Sequence, residues 1–249
     1  MPFSGLPERV AEIREKIAAA ARRGGHGQSA RIVAVTKTHG PEAVIEAVAC
    51  GLRDVGENKV QEALGKQEAL AGRAAVTGGM QAVGQAPVWH LIGHLQTNKV
   101  KFLDRFSLFH AVDSSRLADA IVAQGRKQGR VFDVLLEVNV SGEASKGGFA
   151  PADVRREADR LLAAMTAGGG EAAGGIRVVG AMTMAPFEAG EATLRQVFAG
   201  AREAQGMVRA AGWPAVELSM GMSGDYEIAV EEGATMVRLG TILFGERGT

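Results

Sequence analysis

The sequence predicts a (β/α)₈ barrel. Eight short apolar runs alternate with stretches of helical period, and 249 residues suit one large α/β domain. The competing arrangement, an open doubly wound sheet, usually has fewer strands and a glycine-rich dinucleotide turn after the first. Here that turn reads Thr38-His39-Gly40-Pro41.

An extra helix comes first, with Leu6, Val10, Ile13 and Ile17 on one face. The first four strand candidates are Arg31–Lys37, Arg53–Glu57, Val88–Gly93 and Leu108–Val112. Val131–Val140, Ile176–Thr183, Val216–Met220 and Thr235–Gly240 follow. Several are continuously apolar, as strands covered on both faces tend to be. Between them, Glu42–Cys50 reads as a helix entered at Pro41 and closed at Gly51. Further helices are marked by Leu117, Ile121 and Val122, by Val154, Ala158, Leu161, Leu162 and Met165, and by Leu194, Val197, Phe198, Ala201 and Val208. Thr97–Arg105 leaves room only for a stunted helix. Ala71–Pro87 and Ala167–Gly175 are rich in Gly and Ala with little to bury, and read as surface insertions forming flexible loops. Without repeat or linker, residues 1–249 are expected to form a single domain.

Composition narrows the function classes. Lys plus Arg and Asp plus Glu are balanced at 28 each, which argues against general attraction to nucleic acid or an anionic membrane. The one cysteine, Cys50, permits no intrachain disulfide and reads as a buried small residue. No signal-like N-terminus and no run of membrane-spanning length is evident. The expectation is a cytoplasmic protein.

In such barrels the active face lies at the C-terminal strand ends. Lys37 ends the first run, in phase with Val33 and Val35, so it projects into the top of the barrel if they fill its interior. A buried amine there needs a lowered pKa or a covalent cap, whereas a strand-end lysine that snorkels to solvent needs neither. The loops after strands seven and eight, Ser219-Met-Gly-Met-Ser-Gly-Asp225 and Arg238-Leu-Gly-Thr241, supply glycines and hydroxyls where barrels commonly hold phosphate. Arg238, in phase with Met236 and Gly240, needs an acceptor inside the barrel. Either a salt bridge, to Glu217 or Glu57, or the ring nitrogen of a bound cofactor would serve. His90 and His94 have the spacing of a helical metal pair, but lie on an extended run without a third ligand, so packing or hydrogen bonding is the expected role and no metal is expected. Asn139 and the loop Ser141–Gly148 follow strand five at the active face. Lys146 there is either a second amine within reach of a cofactor or a solvated lysine.

Five motifs in order, Val35-Thr-Lys37, Gly56-Glu-Asn58, Trp89–Lys99, Ser219-Met-Gly-Met-Ser223 and Val237-Arg-Leu-Gly-Thr241, resemble the pyridoxal phosphate homeostasis proteins across residues 6–246. The resemblance implies an alanine-racemase-like barrel of PLP fold type III. It also implies pyridoxal 5′-phosphate (PLP) in a Schiff base with Lys37, phosphate held by Ser219, Met220, Ser223, Gly240 and Thr241, Arg238 at the ring nitrogen, and Asn58 beside the cofactor.

An arginine at that nitrogen disfavours its protonation and weakens the electron sink that PLP enzymes use. Relatives that racemise alanine carry a second, C-terminal β domain and recruit a tyrosine across a dimer interface. This chain ends at Thr249 soon after strand eight, and its one tyrosine, Tyr226, falls in the helix behind the phosphate loop. The expected function is therefore non-catalytic buffering or delivery of PLP by a monomer, with apo PLP-dependent enzymes as recipients. A small PLP-dependent amino-acid racemase is the alternative.

Overall fold

The computed structural model describes residues 3–77, 86–143 and 146–245. Eight parallel strands close into a barrel in sequence order: β1 (Arg31–Val35), β2 (Asp54–Glu57), β3 (Val88–Leu91), β4 (Leu108–Val112), β5 (Val131–Glu137), β6 (Gly175–Met182), β7 (Glu217–Ser219) and β8 (Met236–Leu239). Closure comes from β1 against β8, with Val33 opposite Arg238 and Ala34 opposite Leu239. It leaves no strand edge to be templated by another chain.

The expected N-terminal helix is α1 (Leu6–Gly24), which buries Leu6, Val10, Ile13, Ile17 and Ala20. Helix α2 (Pro41–Ala49) opens on Pro41, whose missing N–H would have had no helical acceptor. Cys50 caps that helix half-buried rather than fully buried. The stunted segment Thr97–Arg105 is a 3₁₀ helix. Helices α4 (Ser115–Gln128), α5 (Pro151–Ala167) and α6 (Glu191–Ala210) bury the predicted apolar stripes. The short α7 (Tyr226–Glu231) and α8 (Thr241–Phe244) follow β7 and β8.

Two expectations about loops are corrected. Helix α3 (Val60–Thr77) was not anticipated, and it takes up the first seven residues of the supposed insertion Ala71–Pro87. Its sequence is rich in Ala, Gln, Glu and Leu, so propensity sustains a helix whose apolar stripe is thin. Residues 78–85 of that insertion lie outside the described residues. The second supposed loop is tightly placed. Gly170–Ala173 form a 3₁₀ turn, and Gly175 already belongs to β6. A Cβ on Gly174 would stand 2.4 Å from the Gly125 carbonyl oxygen, and one on Gly175 would stand 2.6 Å from the Met165 sulfur. Positive φ at both positions, with the Gly125 carbonyl close to one and the Met165 side chain close to the other, explains these two glycines.

Candidate functional site

A cavity of about 910 Å³ opens at the C-terminal ends of the strands. Lys37, Asn58, Ser223, Arg238, Gly240 and Thr241 line it, so six of the predicted site residues converge although they span most of the chain.

Lys37 is exposed at the cavity mouth rather than buried on the strand, because β1 ends at Val35 and a turn begins at Thr36. Its amine has no hydrogen-bond or ion-pair partner among the described residues, so none of them competes for it. The turn is braced from below. The Lys66 ammonium donates to the Thr36 carbonyl at 2.7 Å, to Glu57 Oε1 at 2.6 Å and to Glu62 Oε1 at 3.0 Å. The Thr36 hydroxyl donates to the same Glu57 oxygen, and the Thr38 N–H donates to Glu62 at 2.6 Å. Thr38 sits at φ 69°, a left-handed conformation that disfavours a β-branched residue by about 1–3 kcal/mol. The brace holds a strained turn that presents Lys37 to the cavity.

Arg238 forms part of the floor. It is buried, and it pairs with neither Glu217 nor Glu57: Glu217 accepts from Arg31 at 2.6 Å, and Glu57 belongs to Lys66. The Arg238 guanidinium donates instead to Ser219 Oγ at 2.7 Å and to the Thr183 carbonyl at 2.9 Å. Burial pulls its pKa down to about 10, against the opposing pull of Asp225 and Glu137, and it stays charged at neutral pH. Burial likewise raises Glu137, with the neighbouring Asp113 adding to the effect. It raises Asp225 too, against a hydrogen bond from the Met222 N–H.

The predicted phosphate set needs one correction. Ser219 and Met220 are fully buried and do not line the cavity. The Ser219 hydroxyl is taken by Arg238 and His110, and the Met220 N–H donates to the Met236 carbonyl. Ser223, Gly224, Gly240 and Thr241 remain at the wall. The Ile242 N–H donates to the Ser223 hydroxyl at 3.3 Å, which ties the two loops together. The two glycines of the first loop differ. Gly221 sits at φ 89° with Ala229 only 2.6 Å from an added Cβ, whereas a Cβ on Gly224 meets nothing within 4 Å and would project into open space. Gly93 lets its chain pass close to Asn58, whose carbonyl oxygen would be 2.5 Å from an added Cβ.

His90 and His94 part company because β3 ends at Leu91. His90 is buried in the barrel, while His94 is exposed at the rim and bonded to Asp113 at 2.7 Å. No cluster of three metal-ligating side chains occurs among the described residues. Asn139 organises the loop after β5 through bonds to Glu143, Ser141, Gly142 and Lys146. Lys146 lines the cavity with its amine paired to Glu143 at 2.9 Å, unlike the unpaired Lys37.

Sequence reading missed His110, the Glu57–Lys66–Glu62 brace, and the cavity carboxylates Asp113 and Glu137. A histidine within Leu108-Phe-His-Ala-Val112 was the available signal, since a polar side chain inside a buried strand must find a partner.

The family model described as alanine racemase, N-terminal domain, matches residues 9–248. A pyridoxal phosphate homeostasis protein of Aquifex aeolicus is 40% identical over 243 residues, covering 96% of this chain and 97% of that one. One from Escherichia coli is 35% identical over 252 residues, covering 98% of each. The solved structure of PipY from Synechococcus elongatus, with PLP bound, superposes with a TM-score of 0.77 at 33% identity, covering 96% of this chain and all of that one. Among the described residues, no helix is long and apolar enough to cross a membrane.

Proposed function

Since the chain belongs to the alanine racemase N-terminal domain family, within its pyridoxal phosphate homeostasis proteins, we propose that it binds PLP and serves in PLP homeostasis. The observation that carries this reading is the unpaired amine of Lys37 facing a buried guanidinium across one cavity, with a hydroxyl-and-glycine wall beside them. These residues fit the cofactor: the amine suits its aldehyde, Arg238 its ring nitrogen, and Ser223, Gly224, Gly240 and Thr241 its phosphate. The open space before Gly224 supports the last assignment, since a side chain there would fill the cradle. Asn58 lines the same cavity as a neighbour of the ring.

When bound, PLP supplies an aldehyde that amines capture reversibly and a ring able to withdraw electrons. The chain's own part is to hold and release it. The Lys66 brace keeps the Lys37 amine at the mouth, the wall holds the phosphate, and Arg238 places a permanent donor on the floor. A donor that keeps the ring nitrogen unprotonated weakens electron withdrawal. Tyr226 is buried in α7 and absent from the cavity lining, so it is not placed to move a proton there. Both features favour a non-catalytic carrier over an amino-acid racemase. All proposed contacts come from one chain, so a monomer acting as one domain over residues 1–249 suffices. The reading includes a cytoplasmic setting and apo PLP-dependent enzymes as recipients.

Borohydride reduction of the PLP-loaded protein, followed by peptide mapping, is expected to find the label on Lys37. A label mainly on Lys146 or Lys99 would refute the anchor. Turnover of amino-acid enantiomers near ~10 s⁻¹ would replace the carrier with the racemase.

A further inference from the structure

A line of hydrogen bonds runs through the barrel interior from the far mouth to the cavity floor. At the N-terminal mouth, Asp54 of β2 is bonded to His90 Nε2 at 2.9 Å. His90 Nδ1 meets Nε2 of His110, on β4, at 2.9 Å. His110 Nδ1 then reaches across the lumen to the hydroxyl of Ser219, on β7, at 2.9 Å. Ser219 accepts from Arg238 of β8 at 2.7 Å. His90, His110, Ser219 and Arg238 are all buried, while the Asp54 side chain keeps 18% exposure at a depression it shares with Arg31, His90 and Glu217.

With each imidazole neutral, the Asp54 end sets the direction of the line, and the Arg238 end is compatible with it. A guanidinium can only donate, and an ionised carboxylate can only accept. With Arg238 donating to Ser219, the serine proton is free to go to His110 Nδ1. His110 must then carry its proton on Nε2 and give it to His90 Nδ1, and His90 carries its own on Nε2 toward Asp54. With one proton on each imidazole, no donor or acceptor in the line is wasted.

The surroundings favour this state. Burial foremost, with the charges of Arg238 and Arg31 adding to it, holds His110 well below the ordinary histidine range, so it stays neutral. Burial pushes Asp54 up, but the bond from His90 and the nearby Arg31 and Arg53 outweigh it, so the carboxylate stays ionised. At that mouth Arg31 pairs with Glu217 at 2.6 Å and also reaches Asp54 at 3.6 Å, while Arg177 pairs with Asp133. At the cavity end, Glu137 and Asp225 face Arg238.

We propose that Asp54, His90, His110 and Ser219 are positioning residues, a one-way hydrogen-bonded relay that fixes Arg238 at the cavity floor and makes the far mouth of the barrel felt at the cofactor ring. Polarised in one sense, each bond strengthens the next, and Ser219 becomes a better acceptor for Arg238 because it donates onward. Two guanidinium nitrogens are thereby engaged, by Ser219 and by the Thr183 carbonyl, which leaves the group one orientation toward the cavity. The relay itself stands on the protein alone; its effect on the ring rests on the PLP reading above.

The test has two arms. In the unloaded protein, ¹⁵N imidazole spectra at neutral pH are expected to show His110 and His90 protonated on Nε2 and bare on Nδ1. A proton on Nδ1 of His110 would overturn the relay whether or not PLP binds. In the loaded protein, His90→Leu and Asp54→Asn are expected to displace the visible absorption band and weaken PLP binding by about three- to tenfold, the range for one modest hydrogen bond. His90→Gln, whose amide can accept from His110 and donate to Asp54, is expected to restore both. If His90→Leu fails to fold, Asp54→Asn at the solvent-reached end carries the same test. Unchanged spectra in both, or equal damage from Gln and Leu, would sink the coupling. A protein that takes up no PLP refutes the cofactor reading and leaves the ¹⁵N result to decide the relay.

Discussion

Replacing Lys66 by Met should cost about 3–5 kcal/mol of stability at neutral pH, the range for stripping one partner from a buried ion pair. Lys66 and Glu57 are buried together, and among the described residues Glu57 Oε2 has no hydrogen-bond partner. Without the ammonium, the Glu57 carboxylate keeps only the Thr36 hydroxyl. Glu57 is already held above the ordinary carboxylate range, burial being the largest cause, with bonds from Lys66 and Thr36 pulling the other way. Between the unfolded value of about 4.3 and that raised folded value, the native state binds the extra proton, so this group's contribution to stability falls as pH rises. Removing Lys66 takes away the largest downward pull and extends the window upward. The variant should therefore lose less stability near pH 5, where Glu57 can neutralise itself, than near pH 7.5. Urea unfolding at the two pH values measures this directly. Adding Glu57→Gln should recover most of the loss at pH 7.5, because no buried charge remains. Equal losses at both pH values, or a double variant worse than the single, would refute the reasoning. PLP binding should weaken as well, since Lys66 also braces the Thr36 carbonyl beneath Lys37.

Two further outcomes separate structure from site. Gly221→Ala should lose about 2–5 kcal/mol, from its left-handed backbone and its contact with α7, whereas Gly224→Ala should leave the urea midpoint in place and lower PLP affinity. Tyr226→Phe should leave stability unchanged or raise it by about 1 kcal/mol in the same assay, because the tyrosine hydroxyl is buried without a partner among the described residues.

The strand runs were legible because strands covered on both faces must be apolar throughout, and the barrel followed from their alternation with helices. That Lys37, Ser223, Arg238, Gly240 and Thr241 line one cavity was legible for a related reason. The fold delivers strand ends to one face, so position along a strand stands in for position in space. Helix α3 was hidden because its propensity is strong and its apolar stripe weak. Gly174 and Gly175, where β6 begins, looked like slack, yet both sit at positive φ with the Gly125 carbonyl and the Met165 sulfur crowding them from other elements.

The sequence by itself determined the eight strands, most of the helices between them and which strand ends meet at one face, because periodicity and turn chemistry are local. Only the tertiary structure decided how the buried polar groups pair. Ser219 reads as one more hydroxyl in a phosphate loop until closure brings Arg238 from β8 and His110 from β4 to its oxygen. Glu57 reads as a partner for Arg238 until Lys66 arrives from α3. A buried hydrogen bond forms within about 3 Å, and separations in sequence do not encode which distant residues come that close.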